Sequence, residues 1–381
     1  MVDCSGSRGS ELASSVTADP PTPVVADLFA AVGWWTALGA VVLLCPECRN
    51  NGIFSEMKIL PYFAASKRTA CMSSSESYKN LCIDAIGVVR EAAAYVRERH
   101  EQRKGLHVEK KGRQNFVTEV DKKAEQILVD GLTRVLPEAG FIAEEGTEAR
   151  RGKTYNWIID PIDGTTNFIH GVFPFAISVA LSEKRAATAE ESKGASQTNK
   201  AVSDPPEAAD GEKNGASETH KAVSETHEVV AGVVYEFGLD ELFHAWKGGG
   251  AWLNGDPIRV SDVPGVGHSL IATGFPYTNF TYMNQFMESV DYFMKNSNGL
   301  RRLGSAATDI AYVACGRFDG FFEYGLHPWD LAAGMLLVTE AGGRVSDFSG
   351  NGDPLFGQDF VCANGRIFEE FQGIIRKIMS A

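Results

Sequence analysis

The stretch Asp160-Pro161-Ile162-Asp163-Gly164-Thr165-Thr166-Asn167 sets two carboxylates three residues apart with two hydroxyls directly behind them. Trp157-Ile158-Ile159 leads into it and places Asp160 at the end of a buried strand, where Pro161 is expected to stop the ladder and stiffen a turn. Alone, Asp, Pro and Gly make an ordinary turn with capping acids. The flanks add to that reading: apolar residues before and hydroxyls after, at a predicted helix start, bring oxygen ligands and exposed backbone N–H groups to one strand end. Hard divalent cations such as Mg²⁺ take such oxygens.

Two other acidic sites can complete a shell. Glu144 and Glu145 follow Phe141-Ile142 at another predicted strand end, where adjacent glutamates are ordinarily just solvated. Asp330 stands between His327-Pro328 and an amphipathic helix, where Asp is ordinarily an N-cap. Together with the first stretch they gather acids that repel one another unless cations hold them. His170, His244 and His327 read as ordinary polar residues, because Mg²⁺ gains little from imidazole.

The chain that must position these groups has 381 residues, about two domains' worth at ~150 each. Its 36 Lys and Arg against 49 Asp and Glu give a net charge of −13, which repels nucleic acid and favours cations. Seven scattered cysteines argue against a disulfide scaffold, so reduced thiols are expected. The pair Cys45 and Cys48 has CxxC spacing but no second pair to complete a zinc site.

Residues 1–76 read as an extension. Residues 29–45 carry no charge over 17 positions, near the lower limit for a membrane span. The acids Asp3, Glu11, Asp19 and Asp27 before it, and Arg49, Lys58, Lys67 and Arg68 after it, suit a signal anchor with a cytoplasmic catalytic domain better than export. Met57 opens a basic, Ser-rich stretch like an organelle presequence, so a cytoplasmic or organellar enzyme after its removal is the other expectation. Residues 183–228 hold no aromatic, Ile, Leu or Met, and ASQTNKAVS returns as ASETHKAVS. They read as a disordered insertion replacing a hairpin turn between FAISVAL and VVAGVVYEF.

The remaining pattern predicts a helix over 78–102, a second helix following Asp121 and ended by Pro137, then strands YNWIIDP, FAISVAL, VVAGVVYEF and ELFHAW. Two further helices are predicted over 305–314 and 328–341. The class is α/β or α+β, with subdomains 77–262 and 263–381.

WIIDPIDGTTNF, with FIAEEG before it and HPWDLAAGMLLVTEAGG after it, resembles the inositol monophosphatase family of lithium-sensitive, Mg²⁺-dependent phosphatases, over roughly residues 80–375 without the insertion. The resemblance implies a layered αβαβα sandwich, a homodimer, and hydrolysis of a small phosphorylated polyol or sugar, most of all an inositol monophosphate. It further implies two or three Mg²⁺ ions. Glu144, Asp160 and the Ile162 carbonyl would hold the first ion, Asp160, Asp163 and Asp330 the second, with Glu144 near a third. Thr165 would orient the attacking water, with Asp121 as its partner acid. Gly164 and Thr165 would offer N–H groups to phosphate, Gly304, Ser305 and Ala306 would form a substrate loop, Glu323 would bind a hydroxyl, and Lys110 would lie near the phosphate. Ser305 and Pro328 stand where relatives often differ, which touches substrate preference. Fructose 1,6-bisphosphate, histidinol phosphate and a 3′-phosphorylated adenosine nucleotide are the alternative substrates within the superfamily; TTNF after DPIDG favours the monophosphatase branch. A non-catalytic binding protein of the same fold is the reading from another class, and intact Thr165, Asp163 and Asp330 speak against it.

Overall fold

The computed structural model describes residues 74–103, 108–112, 115–148, 150–186, 225–277 and 280–380, with the backbone alone for 108–112, 115–117, 186 and 225. The apolar run 29–45, the CxxC pair and the stretch after Met57 lie outside these residues. Among the described residues no helix is long and apolar enough to cross a membrane.

Helix α1 (Ser74–Glu101) buries Cys82, Ala85, Val89, Ala92, Ala93 and Val96 at three- and four-residue intervals, as its sequence period requires. A two-stranded hairpin follows, β1 (Val108–Gly112) with β2 (Asn115–Thr118). Helix α2 (Glu119–Val135) starts earlier than predicted, because Thr118 is its N-cap: the hydroxyl accepts from Val120 N, and the Thr118 N–H donates back to Asp121. Asp121 therefore lies inside the first turn rather than before the helix.

The main sheet has seven strands in the order β3 (Gly140–Ala143), β4 (Tyr155–Asp163), β5 (Ala176–Ala186), β6 (Glu225–Glu236), β7 (Glu241–Trp246), β8 (Ala251–Leu253) and β9 (Asp256–Ile258). Only β3 and β4 pair in parallel. Short helix α3 (Thr165–His170) follows β4. Two expectations need correction here. Pro161 does not stop the ladder: β4 runs on to Asp163 through a bulge, since Asp160 faces Ser178 and Asp163 faces Ala176, three residues against two. Nor does the insertion begin at 183. β5 and β6 pair antiparallel out to Ala186 and Glu225, because a ladder between backbones needs no apolar side chains. Glu183 there accepts the hydroxyls of Tyr78 and Tyr155 at 2.6 and 2.9 Å. The rest of the insertion, 187–224, lies outside the described residues.

The second sheet has the order β11 (Gly299–Arg301), β10 (Leu270–Thr273), β12 (Gly320–Tyr324), β14 (Asp359–Asn364) and β13 (Gly343–Ser346). Its helices are α4 (Met283–Asn296), α5 (Ala306–Ala314), α6 (Pro328–Glu340) and α7 (Phe368–Met379). Three clusters of buried apolar side chains show the layering. One joins α1 and α2 to one face of the main sheet, around Leu128, Trp157 and Val233. The second puts α5 and α6 between the sheets, with Ile310 and Leu337 against Val234 and Phe321. The third packs α4 and α7 on the outer face of the second sheet, around Phe293, Phe322 and Phe371. The result is an αβαβα sandwich, in which α5 and α6 are apolar almost all round because both faces are covered.

Candidate functional site

In a regular strand, residues three apart point to opposite faces. The extra residue in β4 cancels that, so Asp160 and Asp163 reach the same side, where Asp330 from the first turn of α6 joins them. Carboxylate oxygens of all three lie within 4.8 Å of one another. Each has one oxygen committed locally. Asp160 Oδ1 accepts from Ile162 N at 2.9 Å, Asp163 Oδ2 from the Ser305 hydroxyl and Ala307 N at 2.6 and 2.7 Å, and Asp330 Oδ2 from His327 N at 2.8 Å. Among the described residues no Lys or Arg pairs with any of them. Burial, reinforced by Glu144, Asp163 and Asp330, pushes the Asp160 carboxyl well up; burial also raises Asp163 to about 6, against the Ser305 and Ala307 donors. Asp330 is raised well above the usual range by burial and by Asp163. Acids so placed are stable as anions only beside a cation, and an all-oxygen set suits a hard divalent ion.

Glu144 stands in hydrogen-bond contact with Asp160 and lines the same cavity. Its loop is fixed from behind by Glu125, one turn beyond Asp121 on α2 and fully buried, which accepts from Glu145 N and Thr147 N at 2.8 and 2.7 Å. One face of α2 thus serves two parts of the site. Asp121, also fully buried, lies 3.2 Å from the Thr165 hydroxyl, which is 3.0 Å from the Ile162 carbonyl. Desolvation raises the Asp121 carboxyl, and hydrogen bonds from Thr118 and Thr165 oppose it.

Thr165 begins α3, whose N-cap Gly164 has φ +91°; a Cβ there would be strained and 3.1 Å from the Gly304 carbonyl. Phe168, fully buried and edge-on to Phe175 at 5.4 Å, anchors this short helix. The Asn167 amide donates to the carbonyls of Pro174 and Leu303 at 2.7 and 2.9 Å, tying α3 to the segment before α5. These contacts account for Asn and Phe in TTNF.

Around the carboxylates is a cavity of about 290 Å³ whose lining includes Glu144, Asp160, Ile162, Asp163, Thr165 and Asp330. Gly164, Gly304, Ser305, Ala306 and Glu323 also line it. Ser305, expected to touch substrate, has its hydroxyl engaged with Asp163 and caps α5. Glu323 is 7% exposed, and burial lifts its carboxyl to about 8, with Arg302 opposing and Asp163 adding. Gly274 lies so close that a Cβ on it would sit 1.9 Å from that carboxylate. Lys110 lies on β1, where only the backbone is described. The three histidines stay apart from the carboxylate cluster's ligand set. His170 is exposed, His244 is buried beside Trp246 and Trp252, and His327 stacks on Trp329 at the cavity edge.

Sequence reasoning missed Arg302, Tyr277 and Asp309, all of which line the cavity. Arg302 donates to the Tyr277 hydroxyl and lies over the Phe275 and Tyr277 rings. The only signal was an arginine pair just before Gly304.

The chain matches the model of the inositol monophosphatase family over residues 77–189 and 219–380. The inositol-1-monophosphatase of Rhizobium meliloti is 37% identical over 273 residues, 71% of this chain and 87% of that protein. A Thermotoga maritima protein named fructose-1,6-bisphosphatase/inositol-1-monophosphatase is 35% identical over 274 residues, 72% of this chain and 88% of its own length. Among solved structures, the extragenic suppressor protein suhB of Bartonella henselae is similar with a TM-score of 0.63 at 32% identity, covering 79% of this chain and 99% of that one. The matched segments include both sides of the cavity, the β4 bulge and the α5–α6 region alike, and the chain accordingly belongs to the inositol monophosphatase family and is a phosphatase.

Proposed function

We propose that this phosphatase hydrolyses a small phosphorylated polyol, myo-inositol monophosphate first, in a Mg²⁺-dependent reaction with water as nucleophile. The observation that carries this reading is the convergence of the Thr165–Asp121 pair, the Asp160, Asp163 and Asp330 carboxylates and Glu323 on one cavity of about 290 Å³. Glu144, Asp160, Asp163, Asp330 and the Ile162 carbonyl would hold two or three ions. Bound there, Mg²⁺ supplies Lewis acidity at the phosphate and lowers the pKa of water. The rest falls to the chain. A Thr165 hydroxyl that donates to Asp121 keeps its lone pairs for a water proton, which orients that water and begins its deprotonation. The N–H groups of Gly164 and Thr165 at the start of α3, which no side chain among the described residues caps, would be available to phosphate oxygens. Glu323 and the Gly304–Ala306 segment, which line the cavity, would meet the leaving group.

A second reading, fructose 1,6-bisphosphate as substrate, is supported by Arg302 on the cavity wall, a cation suited to a second phosphate. Phosphate release from a panel of inositol, sugar and nucleotide phosphates, titrated with Mg²⁺, separates the two. Inositol monophosphate should give the highest kcat/KM, with no turnover in chelator. A higher value for the bisphosphate would favour the second reading, and full activity in chelator would overturn both. Li⁺ should inhibit uncompetitively, because the Asp160, Asp163 and Asp330 carboxylates that would hold a divalent ion would also accept a small monovalent one. A homodimer is proposed from the family, and a cytoplasmic or organellar place from the residues before 77, with membrane contact only through 29–45; light scattering and cell fractionation test these.

A further inference from the structure

Asp309 takes no part in the steps above, yet among the described residues its carboxylate is left without a hydrogen-bond donor at Oδ1. It lies on α5 one turn beyond Ser305, and its N–H donates to the Ser305 carbonyl at 3.0 Å, so the backbone is satisfied and the carboxylate is left over. The residue is 1% exposed, its Oδ1 has no hydrogen-bond partner among the described residues, and it lines the cavity with Glu323 and Arg302. An acid in a helix's first turn ordinarily complements the helix dipole from the surface, and that role requires no burial. A buried polar group left unpaired costs about 1–3 kcal/mol, more when charged, so a ligand that brings a donor recovers that loss. Glu323 repeats the pattern from β12: it is buried, and no donor among the described residues bonds its carboxylate. Burial and Glu323 hold the Asp309 carboxyl well above the usual range, with Arg302 pulling the other way.

Two acids of this kind on one wall define the complementary ligand. It must carry several hydrogen-bond donors, and it must be small enough for the cavity. Neighbouring hydroxyls of a polyol meet both conditions. An ester whose leaving group has no donor would strand both carboxyls, and sites built around buried polar groups reject such analogues strongly.

We propose that Asp309 is a specificity-determining residue, which together with Glu323 forms a two-carboxylate wall that receives the hydroxyl groups of a polyol leaving group. The inference rests on the polyol phosphate reading above and adds the residue that distinguishes hydroxyl-bearing leaving groups from bare ones.

The test compares wild type with Asp309→Asn and the nearly isosteric Asp309→Leu on myo-inositol 1-phosphate and on phenyl phosphate, whose leaving group carries no second hydroxyl. Expected is a loss of about 10- to 100-fold in kcat/KM on the inositol ester, with less than about threefold change on phenyl phosphate. Melting temperature is read in parallel, and Asp309→Leu should match or exceed wild type, since an unpaired buried acid has been removed. Equal losses on both esters with a lower melting temperature would make Asp309 a structural residue and overturn the assignment. So would wild-type discrimination retained in both variants. Should wild type cleave phenyl phosphate and no inositol phosphate, the polyol reading itself falls, and the assignment with it.

Discussion

Buried acids in this protein fall into two groups by place. Away from the cavity, each is answered by the chain. Glu125 accepts two N–H groups, Asp319 accepts from the Ser261 hydroxyl and Leu270 N, Glu236 accepts from Gly238 N and Leu239 N, and Glu241 holds Arg317 through both oxygens. In the cavity Asp163 and the half-buried Asp330 have one oxygen each tied down, Asp160 holds Ile162 N and otherwise meets only another acid, Glu144, and among the described residues no donor bonds the carboxylates of Asp309 and Glu323. The same residue type is a structural bracket in one region and an unfilled valence in the other. Unmet hydrogen-bonding capacity concentrated at one place is where a fold reserves interaction energy for ligands, and stability is given up there.

That contrast breaks most visibly at Asp163. Asp163→Asn keeps the shape and can still accept from Ser305 and Ala307, but it removes a charge from the metal set. Turnover should fall by about three orders of magnitude or more, while the melting temperature of the metal-free protein stays level or rises. Phosphate release within about tenfold of wild type would take Asp163 out of that set. Next in size come Thr165→Ala and Asp121→Asn, each expected to cost about 10²- to 10³-fold in kcat with the Mg²⁺ requirement little changed. Because the two groups bond each other at 3.2 Å, the double variant should be hardly worse than either single one. Additive losses would show that they do not act as a pair.

Glu125 tests the other group. Glu125→Ala strands the N–H groups of Glu145 and Thr147, and should cost about 2 kcal/mol in denaturant unfolding. Since that loop carries Glu144, the Mg²⁺ concentration for half activation should rise severalfold, measured by titration of phosphate release. A stability loss with no change in that concentration would confine Glu125 to the fold. Smaller again is the pH dependence from Glu323. Its folded carboxyl is held at about 8, against about 4.3 in an unfolded chain. Between those values the folded state binds the extra proton, so this contribution to stability is full below pH ~4 and is lost as pH rises towards 8. Metal-free protein should therefore melt progressively lower from pH 5 to 8 by a few degrees, and Glu323→Gln should flatten that slope.

How much of this could be read in the chain depends on whether the signal was local. Helix α1 and strands β4 to β7 follow from the period of their apolar residues, and DPIDGTT announced its site because its two acids, glycine and hydroxyls are contiguous. The pairing of Thr165 with Asp121 was legible only through family resemblance, as the two are 44 positions apart. The bulge at Pro161 escaped because proline in a strand argues locally for an end, and only pairing with β5 shows the ladder resuming at Asp163. Asp309 escaped for the same kind of reason. In GSAATDIAYVA it reads as an ordinary first-turn acid, and only the packing of α5 between two sheets turns it into the cavity.

The smallest expected effect concerns the insertion, and the structure changes how it should be cut. Residues 187–224 contain no aromatic, Ile, Leu or Met, so they bring little apolar area to offset the entropy of ordering them. Residues 183–186 and 225–228 differ: they continue the β5–β6 ladder, and Glu183 receives Tyr78 from α1 and Tyr155 from β4. Joining Ala186 to Glu225 through a two-residue Asn-Gly turn keeps the ladder and suits a hairpin. This shortened chain should retain wild-type kcat/KM within about twofold, and its melting temperature should stay level or rise slightly, because closing a shorter loop costs less entropy. Cutting from 183 to 228 instead removes the acceptor of two tyrosine hydroxyls and should lower the melting temperature by several degrees, with activity largely kept below that temperature. Loss of most activity in the shorter deletion alone would mean that 187–224 acts on the site, and equal melting temperatures for the two deletions would mean that Glu183 contributes nothing to the sheet.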